Sequence, residues 1–187
     1  MAQKGPATIM RKILMLLALI IGLIITDQVS KNVIQSRFHH GESLEVIKGF
    51  FSITYVRNPG AAFGFMANAE DAVRKPLFLF IPIIACMWLL VLIWKTRDKS
   101  KVLFLSYGLI LAGAIGNLID RFLLGYVVDF ADFYLADHHF PAFNVADSAI
   151  TIAAALLIYD FILEIKHKKE QQVLTKSLEN SIDQKKS

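Results

Sequence analysis

Two uninterrupted apolar runs constrain this chain more than any other feature. Pro76–Trp94 gives 19 residues without a charge and Val102–Ile119 gives 18. A helix needs about 20 predominantly apolar residues to cross the hydrocarbon core of a bilayer, so both runs qualify as spans. Two further runs fall short: Ile13–Thr26 has 14 residues, and the run that starts at Ser148 meets Asp160 after 12. To span, the first must carry Asp27 at its far end, and the fourth must take in Asp147 or Asp160. The shortfall therefore pulls particular carboxylates to the membrane border.

Composition agrees. Hydrophobic residues make up 55% of the 187 residues and mean hydropathy is +0.50, above what a soluble domain carries. The expected fold class is mainly α, a polytopic membrane protein. Four transmembrane helices, at about 11–31, 76–94, 102–120 and 147–165, form one domain over 1–165, and a charged tail follows at 166–187. The first run has a basic start, but no A-x-A-like cleavage site follows it, so it reads as an uncleaved anchor. Asp27 and Lys31 pair at i, i+4 where it continues as helix.

The basic residues set the orientation. Lys4, Arg11 and Lys12, then Lys95, Arg97, Lys99 and Lys101, then Lys166, Lys168 and Lys169 all fall on one side of four alternating helices. Lysines flanking apolar runs mark the cytoplasmic face, which places both termini inside. The same placement argues against a nucleic-acid footprint for the net charge of +4. The single cysteine, Cys86, lies mid-run and forms no intramolecular disulfide; it reads as packing.

The 27–75 connection is more than linker. Phe50–Val56 is rich in β-branched and aromatic residues and reads as a strand. Asn58-Pro59-Gly60 then supplies turn chemistry, since Pro presets φ and Gly accepts positive φ. An outer β-rich loop at about 45–66 is expected to form a small extracytoplasmic cradle. In the tail, Leu174, Leu178 and Ile182 recur at i+4 and read as a frayed amphipathic helix.

On this topology the unusual polar residues converge at one membrane face. The first helix ends near Asp27; the third ends with Asn117, Asp120 and Arg121; the fourth begins with Asn144 and Asp147; Asp129 lies in the connection between them. Ionisable groups at membrane depth cost roughly 2.5–3.5 kcal/mol each on insertion scales, so several gathered at one border suggest a site. Asn117, Asp120 and Arg121 share a helix face at i, i+3, i+4, as do Asn144 and Asp147 at i, i+3. Each has an ordinary reading too. Asp147 is a first-turn acid favoured by the helix dipole, and Asp120 at a helix C-terminus needs a partner from Arg121 or another helix. Asp129 alone is a loop residue, and Asn58 a turn former. His138 and His139 read as solvated loop residues, and Asp132 and Asp137 have no comparable context. Gly108, Ala112 and Gly116 read as a helix-packing seam.

No serine or cysteine nucleophile with a histidine base lies within this set. Two carboxylates can share one proton, because like charges about 3 Å apart cannot both ionise. The ionised one takes a proton from water while the protonated one donates to a carbonyl oxygen. Asp129 and Asp147 are the candidate dyad, and the chemistry calls for no metal and no organic cofactor.

Five stretches in order carry a resemblance. They are Thr26-Asp27-Gln28 with Lys31, Val56–Gly64, Gly116–Arg121, Val127–Phe130 and Phe143–Ser148. Together they resemble the lipoprotein signal peptidases of bacteria, also called signal peptidase type II. The resemblance implies an aspartic endopeptidase of the bacterial inner membrane, working at its extracytoplasmic face as a monomer. It would act on prolipoproteins that carry a diacylglyceryl group on a cysteine, cutting before that cysteine. It makes Asp129 and Asp147 the catalytic dyad, with Asp27, Asn58, Asn117, Asp120, Arg121 and Asn144 supporting. The competing class is a proton- or ion-coupled transporter, which predicts inverted repeats and acids near the bilayer midplane. A third is a non-catalytic lipid-binding scaffold, which leaves the number of carboxylates unexplained.

Overall fold

A computed structural model describes residues 6–60, 70–97 and 100–186. Four long helices alternate in direction, with a four-stranded antiparallel sheet at one end. In chain order the helices are α1 (Pro6–Arg37), α2 (Asp71–Thr96), α3 (Lys101–Leu124) and α4 (Val145–Lys186), and all four contain a stretch long and apolar enough to cross a membrane. α1 has 32 residues, about 48 Å at 1.5 Å each, so it outreaches a hydrocarbon core of about 30 Å. α4 continues as helix through Lys186; the side chains of Leu174, Leu178 and Ile182 lie outside the described residues.

α3 is the central helix. Half of its apolar window is buried, against 11% for each of the others. Its small residues explain this. A Cβ on Gly108 would strike Leu16 of α1, and one on Gly116 would sit 2.7 Å from Asp27 Oδ2. Ala112, between them, is buried in the same core as Leu16 and Ile20. The expected seam thus faces α1. A second seam was not read from the sequence: Gly113 faces α4, and a Cβ there would strike the Ala146 carbonyl oxygen and come within 2.7 Å of Ile150. The other helices leave large apolar side chains exposed, such as Phe80, Ile84 and Trp88 on α2, a surface suited to lipid.

Local chemistry fixes the helix ends. Ser100 caps α3 by accepting from the Leu103 N–H at 3.1 Å, and its hydroxyl donates to Asp160 Oδ1 at 3.2 Å. α4 therefore takes in both Asp147 and Asp160, and the second acid is satisfied at the far end of the bundle. Gly125, at φ 81°, ends α3 by donating to the Arg121 carbonyl at 3.1 Å.

The sheet has strands β1 (Ser43–Ile47), β2 (Phe51–Asn58), β3 (Val127–Leu135) and β4 (His138–His139), in that spatial order. β2 realises the expected strand, and the rest of the expected outer loop, 61–66, lies outside the described residues. β3 begins two residues past the α3 cap. Val128 packs with Ile34 of α1 and Tyr55 of β2, joined by Phe130. Side chains alternate across a strand, so Asp129 between them points to the opposite face. Phe143 pairs with Ala131, accepting at 2.8 Å and donating at 3.1 Å. That return brings Asn144 alongside Asp129 before α4 begins.

The Gly113 approach yields a prediction. Gly113→Ala should lower the unfolding temperature by an amount corresponding to about 1–3 kcal/mol, because the clash is with backbone. Gly22→Ala, with nothing within 4 Å of the new Cβ, should not lower it. Thermal unfolding of the two purified variants in one detergent checks the contrast.

Candidate active site

Lys31 sits at the centre of the buried polar residues. An ammonium has three donors and no acceptor. All three are used: Asp27 Oδ2 lies at 2.8 Å, Asp120 Oδ2 at 3.0 Å and Asn117 Oδ1 at 2.9 Å. Both acids are themselves buried. Asp27 Oδ1 accepts from the Ala146 N–H at 2.8 Å, at the α4 N-terminus where the dipole favours an anion. Asp120 stands in the last turns of α3, where the dipole opposes a negative charge. Lys31, Gln28 Nε2 at 2.9 Å and the Val128 N–H at 3.0 Å offset that cost. The partner that Asp120 needs thus comes from a neighbouring helix. Arg121 instead donates to the Gly60 carbonyl at 3.0 Å and lies 5.5 Å from the Phe78 ring centroid.

The second layer is held by Asn144. Its Oδ1 accepts from the Asp147 N–H at 2.9 Å, while Asp147 Oδ2 accepts from the Asn144 N–H at 3.3 Å. This reciprocal pattern is a capping box, with Asn and Asp in the roles usually taken by Ser and Glu. Asn144 Nδ2 donates to Asp129 Oδ1 at 2.7 Å, with Asn117 Oδ1 at 3.1 Å and the Val128 carbonyl at 3.2 Å also in reach. Asn117 Nδ2 donates to Asp147 Oδ1 at 2.8 Å. Asn58 Nδ2 donates to Asp129 Oδ2 at 3.0 Å, and its Oδ1 accepts from the Gly60 N–H at 3.1 Å. Asp129 and Asp147 therefore flank one asparagine, where β3 and the ends of α3 and α4 meet.

Burial pushes the Asp129 carboxyl up, and the nearby Asp147 charge adds to the effect, bringing it to about 7. The Asn58 and Asn144 amides and Lys31 act in the opposite direction. A carboxyl group poised there holds or releases a proton near neutrality, the property general acid–base chemistry requires.

All eight residues singled out in the sequence fall in this cluster. Asp27 and Asp120 form the layer around Lys31 and make no hydrogen bond to Asp129 or Asp147. Arg121 reaches the cluster through Gly60, beside Asn58. Sequence reasoning passed over Lys31 and Gln28 as site residues. The signal for Lys31 was its i, i+4 spacing from Asp27 at the end of an apolar run. It also passed over Asp132, which is buried and accepts from Thr54 at 3.1 Å. His139 pairs with Asp132 at 2.9 Å and stacks on Tyr134, away from the dyad. Among the described residues, no three His, Cys, Asp or Glu side chains are arranged to hold a metal ion.

The chain also matches known proteins along most of its length. A family model described as signal peptidase (SPase) II matches residues 19–163. A lipoprotein signal peptidase of Syntrophus aciditrophicus is 44% identical over 160 residues, covering 85% of this chain and 99% of that protein. Another, from Desulforapulum autotrophicum, is 46% identical over 140 residues, with 75% and 86% covered. Among solved structures, a bacterial membrane enzyme determined by the in meso method at 2.3 Å resolution matches with a TM-score of 0.75. It shares 35% identity, and the match covers 82% of this chain and 91% of that one.

The raised Asp129 carboxyl has a signed consequence. Because the folded value, about 7, exceeds the ordinary 3.8, its contribution to stability is present below about pH 4 and is lost as pH rises toward 7. Asp129→Asn should therefore be more stable than the parent at pH 8, by at most roughly 4 kcal/mol. The difference should vanish at pH 4. Paired thermal melts at the two pH values check the sign.

Proposed function

The chain belongs to the signal peptidase II family of membrane aspartic peptidases, which remove signal peptides from prolipoproteins, and from that premise we propose that Asp129 and Asp147 carry out the hydrolysis. The transporter alternative has no support, since the matching family and the named relatives are peptidases. The observation that carries the dyad assignment is Asn144, whose side chain donates to Asp129 and whose backbone N–H donates to Asp147 at one helix end, while burial keeps Asp129 poised near neutrality.

One proton on the pair suffices. The ionised carboxylate takes a proton from water as its oxygen bonds to the scissile carbonyl carbon, and the protonated one donates to the carbonyl oxygen. In the reverse sense, the first then gives its proton to the departing amide nitrogen as the C–N bond breaks, and a hydroxyl of the tetrahedral intermediate returns the other. Asn58, Asn117 and Asn144 orient the two carboxylates. Asp27 and Asp120 neutralise Lys31 and anchor α4, and the Arg121 guanidinium tethers the Gly60 turn beside Asn58. None of these steps calls for a metal or organic cofactor.

The substrate is a prolipoprotein with a diacylglyceryl group on its cysteine, cut immediately before that residue. Each buried CH₂ of an acyl chain is worth about 0.8 kcal/mol in the bilayer, so such a substrate stays at the membrane border. The dyad lies at that border, next to the ends of α3 and α4. In this reading both termini are cytoplasmic, the sheet and dyad face outward from the inner membrane, and the enzyme works as a monomer.

Asp129→Asn and Asp147→Asn should each lower cleavage of a diacylglyceryl-modified precursor at least about 10³-fold, with membrane insertion unchanged. The parent should leave the unmodified precursor intact. Gel-shift assays on both precursors read the result, and retained cleavage in both variants would remove the dyad.

A further inference from the structure

The dyad is not symmetric, and the asymmetry traces to a residue that touches neither carboxylate. Lys31 has no lone pair, so the Asn117 atom facing it at 2.9 Å must be the amide oxygen. That fixes the other end of Asn117: its NH₂ group points at Asp147 Oδ1, at 2.8 Å. Asp147 Oδ2 faces the Asn144 backbone N–H, which cannot accept. Among the described residues, neither Asp147 oxygen has an acceptor opposite it to receive a proton.

Asp129 is held differently. Its Oδ1 faces Asn144 Nδ2, whose orientation is set because the Asn144 oxygen accepts from the Asp147 N–H. Its Oδ2 faces Asn58, whose amide is oriented by one N–H, that of Gly60 in the turn. All four dyad oxygens thus face donors, but among the described residues only Asp147 receives one from the backbone, at the N-terminus of α4 where the dipole favours an anion, whereas Asp129 is met by the side-chain amides of Asn58 and Asn144.

Resting on the assignment of Asp129 and Asp147 as the dyad, we infer that Lys31 is a positioning residue that acts through Asn117 to leave Asp147 as the ionised base and Asp129 as the proton holder. Asp147 then takes the proton from water, and Asp129 delivers its proton to the scissile carbonyl oxygen. The charged groups around the pair agree. α1 contributes Asp27 and Lys31 and α3 contributes Asp120 and Arg121, while Asp132 of β3, three residues from Asp129 and so on the other face of the strand, is occupied by Thr54 and His139. Asn58 is the uncharged contribution of β2. Asp27 and Asp120 are both engaged by Lys31, so the ammonium is held in place beside the pair and acts on it through its charge and through the orientation it gives Asn117. The carboxyl of Asp129, up at about 7, is consistent with the proton residing there.

The test is the pH profile of kcat/KM for a diacylglyceryl-modified precursor, with the enzyme in lipid nanodiscs. Lys31→Gln should move the acid limb to higher pH by about one unit, because the dyad loses a nearby positive charge. Lys31→Arg, which keeps the charge, should restore the limb. A loss of amplitude at every pH with the limb unmoved would make Lys31 purely structural and overturn the inference. Asn117→Ser leaves both Lys31 ion pairs intact and should shift the same limb, which covers the case of a Lys31→Gln that does not fold. Independently, ¹³Cγ spectra of the parent enzyme, assigned by the signal lost in Asp129→Asn and in Asp147→Asn, should show the larger titration near neutrality on Asp129. The larger change on Asp147 would reverse the roles. Cleavage retained in both dyad variants would instead sink the dyad assignment itself, a separate failure.

Discussion

The buried ammonium of Lys31 is the contact on which the rest of the site depends. Removing a charge from water costs several kcal/mol even after relaxation, and it is tolerated only when every donor is met. Here two carboxylates and one amide meet all three. Those partners span two helices, and each hands the constraint on. Asp27 passes it to the Ala146 N–H of α4, Asp120 to the Val128 N–H of β3, and Asn117 to Asp147. Losing one member of such a buried set costs about 3–5 kcal/mol, because the remaining charges are left uncompensated. Three helices and the sheet are registered against one another by a single side chain.

The start of α4 shows how a structural device and a chemical one coincide. An aspartate in the first helical turn is favoured by the dipole and by capping, and those terms account for Asp147 without invoking chemistry. The two explanations do not compete. The capping box with Asn144 fixes the carboxylate, and the spare amide hydrogen-bonding capacity of Asn144 then reaches Asp129. What distinguishes this helix start from any other is the strand beside it, held there by the Phe143 pairing with Ala131.

Much of this was legible in the sequence because membrane insertion makes charge conspicuous. Two long uncharged runs gave the second and third spans, and two short ones required Asp27 in the first and Asp147 or Asp160 in the fourth; α4 contains both. The strand at Phe51–Asn58 followed from β-branched and aromatic residues with a Pro-Gly turn behind it. β3 was harder to see as nine residues of strand, since Asp129 and Asp132 interrupt its apolar character; both are buried by partners far away in sequence. The Gly113 seam toward α4 escaped notice because it falls outside the i, i+4 spacing of Gly108, Ala112 and Gly116. The role of Lys31 was half visible. Its pairing with Asp27 is local, but its bonds to Asn117 and Asp120 cross 86 and 89 residues.

The backbone supplies the last link between fold and site. Wherever the backbone is buried, its N–H and C=O groups need partners. The turn from α3 into β3 meets that demand partly with site side chains: Asp120 accepts from the Val128 N–H, and Asn144 lies within reach of the Val128 carbonyl. The residues around the dyad therefore hold the chain in shape as well as orienting carboxylates, and changing them perturbs both. Asp129 differs. It receives hydrogen bonds from Asn58 and Asn144, yet among the described residues no backbone N–H bonds to its carboxylate. A buried acid held by two side-chain amides and raised by its own surroundings toward neutrality supports the proposed catalytic role of Asp129.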